Sequence, residues 1–99
     1  MVKLSILYRR PANEDTFEAR YNQNLALLER MPGIQRRQAC VVFGSPGGQS
    51  NYYRLLEFYF ESAADLDTAL RSPEGQTAGS DLMQFARDAE LLFAEVFED

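Results

Sequence analysis

No histidine occurs anywhere in the 99 residues. With it go the usual zinc ligand, the usual haem ligand and the usual general base at neutral pH. Cysteine is almost missing too. Cys40 stands alone, so neither an internal disulfide nor a thiolate metal cage can form, and no metal or other cofactor is expected. Lying in the run Ala39-Cys40-Val41-Val42-Phe43 with no base to activate it, Cys40 reads as a small core residue.

Clustered positive charge is lacking as well. Fifteen acids against ten bases leave a net charge of -5, and Arg9-Arg10 and Arg36-Arg37 are pairs with no interleaved aromatics, so no nucleic-acid partner is expected. Long apolar runs are absent. The opening MVKLSILYRR turns to charge too early for a signal sequence or a span, so no membrane partner is expected and a cytoplasmic location is.

What is present suits one globular domain over residues 1–99: 45% hydrophobic residues, with seven phenylalanines and five tyrosines to fill a core. The stretch Tyr52–Glu61 organises the rest. Tyr52, Arg54, Leu56, Phe58 and Phe60 share one strand parity, while Tyr53, Leu55, Glu57 and Tyr59 share the other. The first set is expected under helices, the second facing a separate, half-polar space. Val2–Arg9 alternates in the same manner, with Leu7 on its mixed face.

Asn13 caps a helix expected over Glu14–Met31, with Glu14 and Asp15 at its positive end. Phe17, Tyr21, Leu25, Leu27, Leu28 and Met31 fall in one apolar arc. Asn24 lies in the middle of that arc, so its amide must either tie the helix to nearby backbone or look into a wet cavity. Pro32-Gly33 ends the helix.

Ile34–Phe43 reads as a second strand with room for a bulge, and Gly44–Asn51 as a hairpin loop. Ser62-x-x-Asp65 opens a short helix to Arg71, and Ser72-Pro73 opens another. Gly75 and Gly79 weaken that second helix, with a restart at Ser80-Asp81. Leu91–Phe97 is the last strand.

The order predicts an α+β, ferredoxin-like βαββαβ fold: a four-stranded antiparallel sheet with the helices on one face. The other face, carrying Leu7, Leu55, Tyr53 and Tyr59 and with room for Phe93 and Phe97, is apolar enough to predict a homodimer whose two sheets enclose a cavity.

The chain resembles the EthD-like members of the dimeric α+β barrel superfamily over nearly its whole length. The likeness rests on Leu7-Tyr8-x-Arg-Pro-Ala, Met31-Pro32-Gly33-Ile34, Tyr52-Tyr53-Arg54-x-x-Glu57-x-Tyr59-Phe60, Ser72-Pro73-Glu74-Gly75-Gln76, Asp81-Leu82-x-x-Phe85-Ala86 and Leu91-Leu92-Phe93-x-Glu95-Val96. It implies a small homodimeric barrel with a pocket in each protomer. It also implies metal-free isomerisation, dehydration or oxidation of small cyclic compounds. Where that family carries a histidine on the first helix, eight residues before the Pro of Pro-Gly, this chain has Asn24. Asparagine cannot take a proton at neutral pH.

Two readings of function follow. As an enzyme acting on a small hydrophobic molecule, the chain would use Glu57 or Glu95 as acid or base, with Asn24, Tyr53 and Tyr59 polarising a carbonyl or phenol and Tyr21, Leu7 and Phe93 lining the pocket. As a binding or accessory module, the same residues would only orient a ligand. Glu57 could equally pair with Lys3 or Arg37 on a neighbouring strand.

Overall fold

The computed structural model describes residues 1–97. Its elements are β1 (Val2–Arg9), α1 (Glu14–Leu28), β2 (Arg36–Val41), β3 (Tyr52–Phe60), α2 (Ala63–Arg71), α3 (Pro73–Phe85) and β4 (Glu90–Glu95). The strands form one antiparallel sheet in the order β2-β3-β1-β4. One core lies between sheet and helices. It joins Leu4, Ile6, Tyr8, Leu56, Phe58 and Phe60 from the strands to Phe17, Tyr21, Leu28, Leu66, Ala69, Ala78 and Leu82 from the helices. This is the ferredoxin-like arrangement that the order of elements predicts. No helix among the described residues is long and apolar enough to cross a membrane.

The helix ends follow their capping residues. The Asn13 side chain accepts from the Thr16 amide at 2.9 Å, satisfying one orphan donor of α1. That helix stops at Leu28, short of Met31. Arg30 and Met31 donate to the carbonyls three residues back, a tighter turn that keeps Met31 buried. Ser72 serves two helices, its amide bonding back into α2 while its hydroxyl accepts from Gly75 at 3.0 Å to start α3.

Two details of register correct the strand-parity expectation. Tyr8 pairs with Arg54 but Arg9 pairs with Tyr52, so Tyr53 is the extra residue of a bulge in β3, not in the 34–43 strand. Tyr53 is thereby turned to the helix side, where its ring meets Phe17 edge-on at 5.3 Å. Tyr52 goes to the uncovered face, beside Arg9 and Glu90.

The second correction concerns β4. Phe93 pairs with Leu4 and Glu95 with Val2, which puts both on the helix-side face of the edge strand, away from Glu57. Leu92, opposite Ser5, takes the uncovered face instead. A strand with Leu91, Leu92 and Phe93 in a row shows no apolar alternation, so only the ladder to β1 selects its parity.

Candidate functional site

The uncovered face holds Lys3, Ser5 and Leu7 of β1, Leu55, Glu57 and Tyr59 of β3, and Arg36, Gln38 and Cys40 of β2. Glu57 stands here, opposite Ser5, and it is fully engaged. Its Oε2 accepts from Lys3 Nζ at 2.6 Å and from the Ser5 hydroxyl at 3.2 Å, and Tyr59 reaches Oε1 at 3.4 Å. Burial favours the neutral acid, but Lys3 and the two hydroxyls outweigh it and hold the carboxyl below its usual range. Glu57 is a neutralised anion in a closed network. Arg36 covers the Tyr59 ring, its guanidinium carbon 4.0 Å from the centroid.

Asn24 is elsewhere. It is wholly buried between α1 and α3, its Nδ2 donating to the Ala78 carbonyl at 3.0 Å and to Asp81 Oδ2 at 2.9 Å. Both partners are acceptors, which fixes the orientation of the amide. The core and the sheet separate it from Glu57, so the two residues expected to share a site do not meet.

A different constellation forms between helices and sheet. Tyr8, Phe17, Tyr21, Tyr53 and Phe85 form one aromatic cluster, of which Tyr8, Phe17 and Phe85 line an adjoining chamber: Tyr8 meets Phe17 and Tyr21 edge-on at 5.5 and 5.4 Å and stacks on Phe85 at 6.4 Å. Arg54 rises into this group from β3. Its guanidinium lies 4.3 Å from the Tyr21 centroid and makes a two-pronged pair with Glu18 of α1, both bonds at 2.9 Å. The Tyr53 hydroxyl donates to the same carboxylate at 2.7 Å. These donors lower Glu18 below its usual range, Arg54 contributing most.

Two hydroxyls in the group lack any partner among the described residues. Tyr8 is 1% exposed and Tyr21 5%, yet neither phenol makes a hydrogen bond. Buried polar groups are rarely left so. Burial raises the pKa of both, only partly opposed by the Arg54 charge. At neutral pH they are donors. Tyr8 also lines a cavity of about 490 Å³ that continues past Phe17 and Phe85 to Arg9, Arg10, Asn13, Thr16, Arg20 and Asp88, within the size range of small-molecule sites.

Of the residues expected to bind ligand, Tyr21 and Tyr53 are thus brought together in the aromatic cluster, and neither lines the chamber itself. Leu7 and Tyr59 lie on the uncovered face, and Phe93 and Glu95 on the β4 edge. Sequence reasoning missed Tyr8, Phe85 and Arg54 as site residues. A signal existed for Arg54, a cation on the inward parity of an apolar strand; Tyr8 and Phe85 read as ordinary core.

Among the described residues, no group of three or more metal-ligating side chains is placed to hold an ion. Residues 9–89 match the EthD domain family. The chain belongs to that family. An uncharacterised 11.0 kDa protein from the thcB-thcC intergenic region of Rhodococcus erythropolis is 33% identical over 87 residues, covering 87% of this chain and 84% of that one. The crystal structure of an EthD family protein from Bacillus halodurans superposes with a TM-score of 0.94 at 33% identity, over 98% and 99% of the two chains. The fold extends further. The hydroxynitrile lyase of Passiflora edulis shares it with a TM-score of 0.79 at 14% identity, over 99% of the EthD chain and 94% of the lyase. More distant ferredoxin-like neighbours are dimeric.

Proposed function

We propose that this EthD protein works as a homodimer that binds a small, largely hydrophobic cyclic compound in the helix-sheet chamber of each protomer. Tyr8 and Tyr21 donate hydrogen bonds to a carbonyl or hydroxyl oxygen of that compound. One observation carries the reading: the almost fully buried phenol of Tyr8 has no partner at the wall of the cavity, and the Tyr21 phenol, also without one, is packed directly behind it. A ligand oxygen is what such donors lack, and leaving them unsatisfied is costly.

The chemistry that suits this arrangement is cofactor-free proton transfer next to a carbonyl, of the isomerase, lyase or oxygenase kind. Preorganised phenols stabilise negative charge as it develops on the bound oxygen. Asp88 is the carboxylate on the cavity lining and would take the proton, a role that Glu57, tied to Lys3 across the sheet, is not free to play. That the fold also serves a hydroxynitrile lyase supports carbonyl-related chemistry as within its reach. A binding module without turnover is the second reading. It is favoured by the absence of histidine and by the closed network around Glu57.

Ligand-detected NMR against a panel of cyclic ketones and phenols tests the proposal. Tyr8→Phe is expected to weaken the hits by about fivefold, the worth of one hydrogen bond near 1 kcal/mol, and to leave the melting temperature unchanged or raised, because an orphan hydroxyl is removed. Unchanged affinity in both Tyr8→Phe and Tyr21→Phe would sink the chamber as the site. Asp88→Asn separates the two readings: turnover falls while binding persists if the protein is an enzyme, and there is no turnover to lose if it is a binding module.

A further inference from the structure

Charge around the cavity mouth is opposite to that of the chain. The whole protein carries a net charge of -5, yet its cavity is lined by Arg9, Arg10 and Arg20 against the single carboxylate of Asp88. Two of these cations are already engaged: Arg20 with Asp81 at 3.1 Å, and Arg9 with Glu90 at 3.4 Å. Arg10 differs. Its Nε and Nη2 donate only to the Ser50 carbonyl, at 3.3 and 3.1 Å, and it has no carboxylate partner among the described residues.

The backbone fixes where Arg10 stands. Its amide donates to the Asn51 carbonyl at 2.9 Å, pinning the residue between the end of β1 and the hairpin, and Pro11 follows directly. Its guanidinium lies 6.0 Å from the Tyr53 centroid, and the residue is exposed on the cavity lining. A planar cation held at the mouth of an aromatic chamber matches a ligand with an apolar ring at one end and a carboxylate at the other.

We infer that the ligand is a small cyclic carboxylate, whose ring packs in the cavity against Tyr8, Phe17 and Phe85 while its carboxylate is held by Arg10 at the mouth. This rests on the chamber reading above and specifies its substrate class. Arg10 acts as a specificity-determining residue, choosing acids over their neutral counterparts.

The test uses the full-length protein and matched pairs of cyclic carboxylic acids and their methyl esters, such as 3-oxocyclohexanecarboxylate and its ester, titrated by calorimetry at low salt. The acids are expected to bind about tenfold tighter or more, as one charge-assisted contact provides, with the advantage shrinking as salt is added. In Arg10→Gln the advantage should vanish while ester affinity is unchanged, which also shows that the chamber is intact. Esters that bind as tightly as acids to the unmutated protein overturn the inference and leave the chamber reading standing. An acid preference that survives in Arg10→Gln overturns the assignment to Arg10. If no member of any pair binds, the chamber reading falls and the inference with it.

Discussion

Asn24 and Glu57 show how a polar residue in an apolar pattern can be structural. The Asn24 Nδ2 is held between two acceptors, the Ala78 carbonyl and Asp81, while its Oδ1 is buried without a partner among the described residues. Asn24→Ala is expected to lower stability by about 1–3 kcal/mol, read by chemical denaturation, without changing ligand binding in the chamber. Asn24→Asp should be worse at neutral pH, since a second carboxylate would face Asp81, and should recover in acid. Equal damage at both pH values would show that charge is not the cause. For Glu57 and Glu18, both held below the ordinary value of 4.5, the sign is fixed by linkage. Their stabilising contribution is complete above that value and is lost as pH falls through the lower folded values. Lys3 is raised above 10.5 by Glu57, so its part is complete below 10.5 and is lost as pH rises through the higher folded value. Lys3→Met should therefore flatten both limbs of a plot of stability against pH, and an unaltered acid limb would leave Glu18 as its main source.

Elements are positioned by close contacts that propensity scales do not contain. Two glycines in α3 look alike in sequence, and by propensity both weaken the helix, with a restart at Ser80-Asp81; α3 instead runs unbroken from Pro73 to Phe85. At Gly75 an added Cβ would overlap the carbonyl oxygen of Ala69 and stand 2.8 Å from that of Leu70, at the end of α2. At Gly79 it would meet nothing within 4 Å. Gly79→Ala is therefore expected to stabilise by about 0.5–1 kcal/mol through helix propensity alone. Gly75→Ala should destabilise, because backbone must move to admit the methyl. A thermal melt of each decides the matter; the same sign for both would mean that the α2–α3 approach is softer than its contacts indicate. The bulge at Tyr53 works at the same scale. One extra residue delivers two consecutive side chains, Tyr53 and Arg54, to the helix side of β3, where both reach Glu18.

At the scale of the molecule, the sheet has one covered and one uncovered face. The uncovered one carries Leu7 and Leu55 near its middle, with Leu92 53% exposed beside them. The carboxylates beside them are paired, Glu57 with Lys3 and Glu90 with Arg9. Arg36 on the same face lies over the Tyr59 ring without a carboxylate partner among the described residues, so an apolar centre beside mostly paired charges is a surface that a second copy can cover. Light scattering is expected to give twice the monomer mass. Leu92→Glu should shift that mass toward the monomer, while chamber variants such as Tyr8→Phe should not. A monomer in the unmutated protein would remove the homodimer from the proposed function.

The sequence by itself determined the order of the elements, the caps at Asn13, Ser62 and Ser72, the inward set of β3 from Arg54 to Phe60, and the burial of Asn24. These depend on local chemistry and on periods of 2 and 3.6 residues, which short stretches of chain carry in themselves. The faces taken by Tyr52, Tyr53, Phe93 and Glu95 were decided only by tertiary structure. A bulge adds one residue without a mark in the composition, and a strand that is apolar on both parities takes its register from its neighbour's backbone ladder. The same holds for the candidate site. Tyr8, Tyr21, Phe85 and Arg54 come from four elements far apart in the chain, and a phenol without a partner is a property of everything packed around it, not of the residue or its sequence neighbours.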